Sequence, residues 1–211
     1  MTEPFSALKQ VHKTDVPRVA ALFTNAFSED PLWKAIFGET GVTPAASEAA
    51  FEMPARYCLR YGSVFASSDA FEGAMAFVPG QWAKMTGWRT MLCGGMSVGF
   101  RMGFKLLRAM EPIFQALPAD MEAHMHGRDY IYLQIIGVRQ ENQGQGIGGR
   151  MLRPLLSHAD SLGVPVYLET ETEANVRLYE RFGFSVLKTA TLPVVNLPMW
   201  EMAREPAAAQ A

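Results

Sequence analysis

The chain has 211 residues, of which 49% are apolar, and it carries 21 acidic against 19 basic side chains for a net charge of −2. That is enough apolar material for one good core, so a single domain is the default, and the near-balanced charge argues against a general nucleic-acid binder, which needs a basic surface. The only cysteines, Cys58 and Cys93, lack metal-ligand spacing and read as reduced thiols in a cytosolic protein, and no basic start followed by an apolar run marks a secretory signal.

Val11 falls in a first strand, and Thr14-Asp15 cap a helix with Pro17 in its first turn and Val19, Leu22, Phe23 and Phe27 on its buried side. The chain breaks at Pro31 and restarts as a short helical segment. Ser47–Tyr61 reads as a second helix closed by Gly62. Ser63–Ala66 and Gly73–Val78 read as a β-hairpin across the polar turn 67–72, ended by Pro79-Gly80.

Met85–Leu117 is a helical insert rich in Met and Gly, with Arg101, Lys105 and Arg108 at i, i+4 and i+7 on one face. Three cations in such a run argue against a membrane span, and the stripe is short for a helix lying on acidic lipid, so no membrane partner is expected. A pocket lid or a dimer-forming helix fits better, because Met and Phe adapt to irregular apolar ligands. His124 and His126 follow without a cysteine or carboxylate cluster to complete a metal site, and read as surface or pocket-edge acid–base groups.

Ile131–Val138 is a strand rich in β-branched and aromatic residues. It passes through the polar turn Arg139–Gln143 into a helix whose apolar face carries Ile147, Met151 and Leu155. Gly144, Gly146, Gly148 and Gly149 crowd the start of that helix, although each helical glycine costs about 0.5–1 kcal/mol relative to alanine. Access explains them: without Cβ atoms, the free N–H groups of a first turn can approach a bulky anion, which the helix dipole also favours. Close packing of helix against strand is the alternative. Gly144, Gly146 and Gly149 also satisfy the dinucleotide pattern, with Glu169 twenty residues further on. Five polar residues nonetheless separate Val138 from Gly144, and the repeats of a doubly wound sheet are missing, so a dinucleotide fold is the weaker reading.

Val164–Phe184 reads as a short strand, an acidic turn and a helix ending at Gly183, on which Asn175 and Tyr179 share a face and Leu178 and Phe182 form an apolar edge. Phe184–Thr191 and Leu197–Met202 are two further strands around the turn Pro193–Asn196. The Ala-rich tail 206–211 reads as frayed.

Gln143, Gly146 and Ile147-Gly148 resemble, in register, the Gln/Arg-x-x-Gly-x-Gly/Ala loop with which the GCN5-related N-acetyltransferase superfamily binds acetyl-coenzyme A; Gln140 stands where many members carry proline. Asn175, Tyr179 and Gly183-Phe184 resemble its second signature, an Asn-x-x-x-Tyr helix bordering the far side of the coenzyme. Tyr167-Leu-Glu-Thr170 followed by that helix is most similar to the puromycin N-acetyltransferase-like branch.

The resemblance implies an α+β fold in which one mixed, largely antiparallel sheet of about six to seven strands is flanked by helices, with the acetyl-CoA site at a splayed strand pair. It implies one domain over residues 1–205 with the insert at about 85–117. The coenzyme contacts would be Gly137, Val138, Gln143, Gly144, Gln145, Gly146, Ile147, Gly148, Asn175 and Tyr179, with no metal. The region between the first two helices walls the acceptor pocket in such proteins, which brings in Phe27, Asp30, Trp33 and Phe37, although packing alone explains the aromatics equally well.

Direct attack by an amine on a bound thioester needs a base, because an alkyl amine near pKa 10 is mostly protonated at neutral pH. Glu169 is the first candidate, with Glu171, Glu173, His124 and His126 behind it. Backbone N–H groups at Gly137-Val138 are the candidate donors to the carbonyl oxygen. Tyr179 is placed as the donor of a hydrogen bond to the leaving sulfur. The acceptor class is a small amine with an apolar or aromatic body; a non-catalytic acyl-coenzyme A sensor, or transfer of another acyl group, is the alternative.

Overall fold

The computed structural model describes residues 4–193 and 195–207, with the side chains at 39–40 and 114–120 left aside. Seven strands form one sheet: β1 (Lys9–Gln10), β2 (Ser63–Ala66), β3 (Gly73–Pro79), β4 (Ile131–Val138), β5 (Val166–Thr170), β6 (Ser185–Thr191) and β7 (Pro198–Arg204), in the order β1-β2-β3-β4-β5-β7-β6. Every neighbouring pair is antiparallel except β4 and β5. A single parallel pair is not a doubly wound sheet, so the dinucleotide alternative falls.

Strand alternation puts two different cores on the two faces. Ala74, Ala76 and Val78 of β3 lie in one cluster with Leu22 and Phe23 of α1 (Val16–Ala26) and Phe51 and Cys58 of α3 (Pro44–Tyr61). Met75 and Phe77 lie in the other, with Met151 and Leu155 of α7 (Ile147–Leu162) and Val176 and Tyr179 of α8 (Glu173–Glu180). A third cluster joins α2 (Pro31–Thr40) and α3 to the insert, which is three helices: α4 (Gly87–Leu92), α5 (Gly95–Met102) and α6 (Phe104–Met125). The last runs on past Leu117 and carries His124.

Local chemistry moved several boundaries. The α3 helix starts at Pro44 rather than Ser47, because Thr43 Oγ1 accepts from the Ala46 N–H at 3.3 Å and proline suits the first helical position. Val11 lies just beyond β1, yet its N–H still donates to the Val64 carbonyl at 3.0 Å. Asp15 precedes α1 but bonds the His12 N–H at 3.0 Å, so no side chain caps that helix. Of the tail, Ala207 donates its N–H to Asp160 Oδ1 at 2.7 Å, and 208–211 lie outside the described residues.

Gly62, which ends α3, tests how tightly this helix meets the sheet. A Cβ there would sit 2.1 Å from the Phe77 carbonyl oxygen, whereas one at Gly38 in α2 would meet nothing within 4 Å. Gly62→Ala is expected to lower stability by about 1–3 kcal/mol in urea unfolding, because backbone must move. Gly38→Ala should raise it by up to about 1 kcal/mol through helix propensity.

Candidate active site

The site starts from a defect in the sheet. Phe77 faces Leu133 and Ala76 faces Ile135, so Gln134 is an extra residue on β4, a bulge of the kind that bends and twists its strand. The parallel ladder between β4 and β5 has only two registered pairs, Ile131 with Val166 and Tyr132 with Tyr167. Beyond them β4 continues on β3 while β5 continues on β7. A wedge opens between the diverging strands, bordered by the half-buried Gln134, Ile135, Ile136 and Val138.

One wall of the wedge is the glycine turn. Gln143 donates its side-chain N–H to the Val138 carbonyl at 3.1 Å, closing the turn from inside. Gln140, the departure from the usual proline, ties the turn to Asn25 of α1 and to Ser28 just beyond it: its N–H donates to Asn25 Oδ1 at 2.9 Å and its Nε2 to Ser28 Oγ at 2.7 Å. Gln145 donates to the Glu141 carbonyl at 3.4 Å and is exposed.

The glycines then divide by cause. Gly144 and Gly146 hold φ of +76° and +75°, the left-handed region that favours glycine. Gly148 has only Val138 Cγ2 near a built Cβ, at 3.8 Å, so its side of the helix is open. At Gly149 a Cβ would come within 2.9 Å of Phe182 Cζ, and there close packing is the reason for glycine. With no acidic residue in the first turn of α7, the amides of residues 147–149 face the open side unopposed. This cradle suits a large phosphate-bearing group. Gly137 serves a different purpose, since a Cβ there would crowd Ala26, Phe23 and Phe27 at 3.1 Å; its smallness lets α1 lie against β4.

The opposite wall is α8. Thr172 caps it, accepting from the Asn175 N–H at 3.3 Å, which sets Asn175 and Tyr179 on successive turns. Tyr179 is 8% exposed, with its ring 5.5 Å from Phe184, and burial together with the nearby Glu171 pushes its phenol well above the usual range. Asn175 is half-buried. Ile147, the first residue of α7, is a core residue.

β5 and its neighbours carry a group of carboxylates, Glu169 on the sheet face of Tyr132 and Tyr167, which α1 and α3 cover. Burial raises Glu169 to about 7, with Glu201 adding to the shift and a hydrogen bond from Tyr132 opposing it. Glu171 is raised to about 8, by burial first and then by Asp30 and Glu169. Asp30 is raised by burial, although it caps α2: its Oδ1 accepts from Leu32 at 3.0 Å and Trp33 at 3.3 Å. Glu201 is fully buried directly across the sheet from Glu169, accepts the Tyr167 hydroxyl at 3.1 Å and meets His124 Nε2 at 3.3 Å. His124 is partly exposed, so a chain of polar groups leads from Glu169 towards the surface. Two of the anticipated acid–base groups are elsewhere: Glu173 pairs with Arg177 in solvent at 3.2 Å, and His126 is exposed at the end of α6.

The anticipated acceptor wall is one aromatic stack. Phe27 and Trp33 lie 5.5 and 4.4 Å from the buried Phe51, and Phe37 lies 5.2 Å from Trp33; all three outer rings are half-buried. Packing accounts for them, and their exposed edges are what they offer a ligand. Sequence reasoning missed Phe51, Tyr132, Tyr167, Glu201 and Gln134. For Tyr167 a signal existed, since Tyr-x-Glu on a strand puts both side chains on one face. Gln134 donates to Met85 Sδ at 3.4 Å, which ties the start of the insert to the bulge.

A family model described as an acetyltransferase (GNAT) domain matches residues 115–186, the span that holds β4, the glycine turn, α7, β5 and α8. An uncharacterized N-acetyltransferase of Schizosaccharomyces pombe is 26% identical over 218 residues, covering 95% of this chain and 83% of that protein. Among solved structures, a Drosophila melanogaster polyamine N-acetyltransferase that forms N-acetylagmatine superposes with a TM-score of 0.61 at 15% identity, covering 94% of this chain and 98% of the other. The arylalkylamine N-acetyltransferase 2 of Aedes aegypti does so with a TM-score of 0.65 at 11% identity, covering 95% and 98%. At these identities the solved structures speak to the fold.

Proposed function

Because this chain belongs to the GNAT superfamily of acetyltransferases, we propose that it moves an acetyl group from acetyl-CoA to the primary amine of a small, partly apolar acceptor, by direct attack with both substrates bound. The observation that carries this reading is the wedge itself: an open glycine cradle and Tyr179 on helices that pack on one face of the sheet, and Glu169, raised to about 7, on the diverging strand β5.

When bound, the coenzyme supplies an activated thioester. The amides following Gly146 hold its phosphates at the positive end of α7, Asn175 and Tyr179 border its far side, and on the edge of β4 that faces away from β3 the Val138 N–H, next to Gly137, offers a donor to the carbonyl oxygen. The carboxylates Asp30, Glu169 and Glu171 attract the acceptor as an ammonium ion. The ammonium must give up one proton to free its lone pair, and Glu169, raised to about 7, takes it; nitrogen then bonds to the acyl carbon, the C–S bond breaks, and the nitrogen's second proton, now acidic, passes to the departing thiolate. Tyr167, Glu201 and His124 continue the path by which that proton leaves. The edges of Phe27, Trp33 and Phe37 favour an acceptor with an apolar body, in keeping with the resemblance to the puromycin N-acetyltransferase-like branch. The fold neighbours that acetylate polyamines and arylalkylamines support an amine in this role.

The test is release of free thiol from acetyl-CoA across a panel of alkyl, aryl and aminoacyl amines, with calorimetric coenzyme binding alongside. Turnover on an amine is the expected result. Coenzyme binding with no turnover on any amine favours a non-catalytic sensor, and no binding overturns the reading of the glycine turn.

The pH dependence has a definite sign. A carboxyl raised to about 7 gains its basic form as pH rises through that value, so kcat/KM should climb with a midpoint near 7. In Glu169→Gln that limb should vanish and activity should keep rising towards the acceptor's own pKa, near 10 for an alkyl amine. An unchanged midpoint in the variant would remove Glu169 from the role of base.

A further inference from the structure

Among the described residues, seven of the ten large apolar side chains that stand exposed lie from Trp88 to Leu107. Trp88 is 60% exposed, Met96 73%, Phe100 89% and Phe104 77%. These are not the sides of undocked helices. The inner faces of α5 and α6 are seated through Val98, Met102, Leu106 and Met110 in the cluster they share with α2 and α3. An apolar outer face left on helices whose inner face is already buried calls for a partner.

Charge says which kind. From Gly73 to Met110 the chain has five cations, Lys84, Arg89, Arg101, Lys105 and Arg108, and no acidic residue; the segment is therefore +5 within a chain of −2, leaving −7 elsewhere. Arg101 turns inward to Glu52, and Arg89 lies over the Trp82 ring at 4.8 Å and near Trp88 at 5.8 Å. Lys84, Lys105 and Arg108 stand exposed in the same stretch of chain as the apolar residues. A second copy would set like charges against each other in a two-fold contact. No helix among the described residues is long and apolar enough to cross a membrane. Mixed Trp, Phe, Met and Lys/Arg on one surface suits an interface that is negative outside and apolar just beneath.

We propose that α4, α5 and the first turns of α6 form a docking face for an anionic lipid surface. The apolar side chains enter the headgroup boundary while Lys84, Lys105 and Arg108 meet the phosphates and carboxylates. The sequence pattern alone concealed this, because no single helix holds the stripe; two short helices and the start of a long one pool it.

Flotation of the full chain with vesicles tests the proposal independently of the catalytic reading. Vesicles of phosphatidylcholine with about a third phosphatidylserine should carry the protein at low salt, neutral phosphatidylcholine vesicles should not, and binding should fall at least about tenfold near 0.5 M NaCl. Phe100→Glu/Phe104→Glu and Lys105→Glu/Arg108→Glu should each lose the vesicles by about tenfold or more with unchanged melting temperature and coenzyme affinity. The proposal is overturned if the unaltered chain ignores anionic vesicles at low salt, or if both double variants bind as it does. It is equally overturned if sedimentation shows a dimer that Phe100→Glu/Phe104→Glu dissolves, which makes the face a self-contact.

Discussion

Tyr179→Phe is expected to lower kcat by about 10- to 150-fold while leaving coenzyme affinity within about twofold, the range set by a hydrogen bond to a charged group worth about 1.5–3 kcal/mol. The substitution removes one hydroxyl and keeps the ring that packs 5.5 Å from Phe184, so the buried cluster around α8 stays filled. Burial and Glu171 hold the phenol well above its ordinary pKa. Giving its proton completely to a thiolate near 8.5 is uphill for a tyrosine even at its ordinary pKa of about 10, and the shift makes it more so. A hydrogen bond that strengthens as sulfur gains charge is the contribution left to it. Thiol release and calorimetry on the same preparation read the two effects separately. An equal fall in both would make Tyr179 a binding residue.

Gly148→Asp is expected to weaken coenzyme binding by more than about 100-fold, close to 3 kcal/mol, without loss of stability. Position 148 separates two causes that its neighbours confound. A side chain at Gly146 has to adopt a φ of +75°, and one at Gly149 runs into Phe182, so failure of either variant could be a failure of the fold. At 148 the helix is regular and the nearest side-chain atom to a Cβ is 3.8 Å away. A carboxylate in the first turn of α7 even favours the helix, by about 0.3–1 kcal/mol, through the dipole. Melting temperature should hold or rise while binding disappears. A variant that keeps its coenzyme would move the phosphate site away from this turn.

The residues legible in sequence were those whose meaning is local. Gln143 to Gly148, and Asn175 with Tyr179, carry fixed spacings along the chain, and the structure packs the two helices they belong to against one face of the sheet. What stayed hidden depends on strand register and on helices far apart in sequence. Glu201 has no local signal; it matters because β5 and β7 pair so that it stands opposite Glu169. The bulge at Gln134 exists only in relation to β3. Thr14-Asp15 and Asp30 looked alike as helix starts, but Asp30 caps its helix through Leu32 and Trp33, whereas Asp15 is drawn back to His12. The glycines shared a composition and had three separate reasons, of which packing against Phe182 belonged to Gly149 alone. Gln140 reads as a flaw in the motif, yet its bonds to Asn25 and Ser28 do by attachment what a ring does by stiffness.

The pairing of Glu169 with Glu201 marks this sheet as a compromise between durability and work. Carboxylates placed face to face inside a protein repel, and apolar residues of similar volume in the same two places commonly leave a protein as stable or more so. Selection for persistence alone would have removed them from β5 and β7. On the proposed mechanism, the least restful part of the molecule lies where protons change hands, and a chain freed of it would be sturdier and idle.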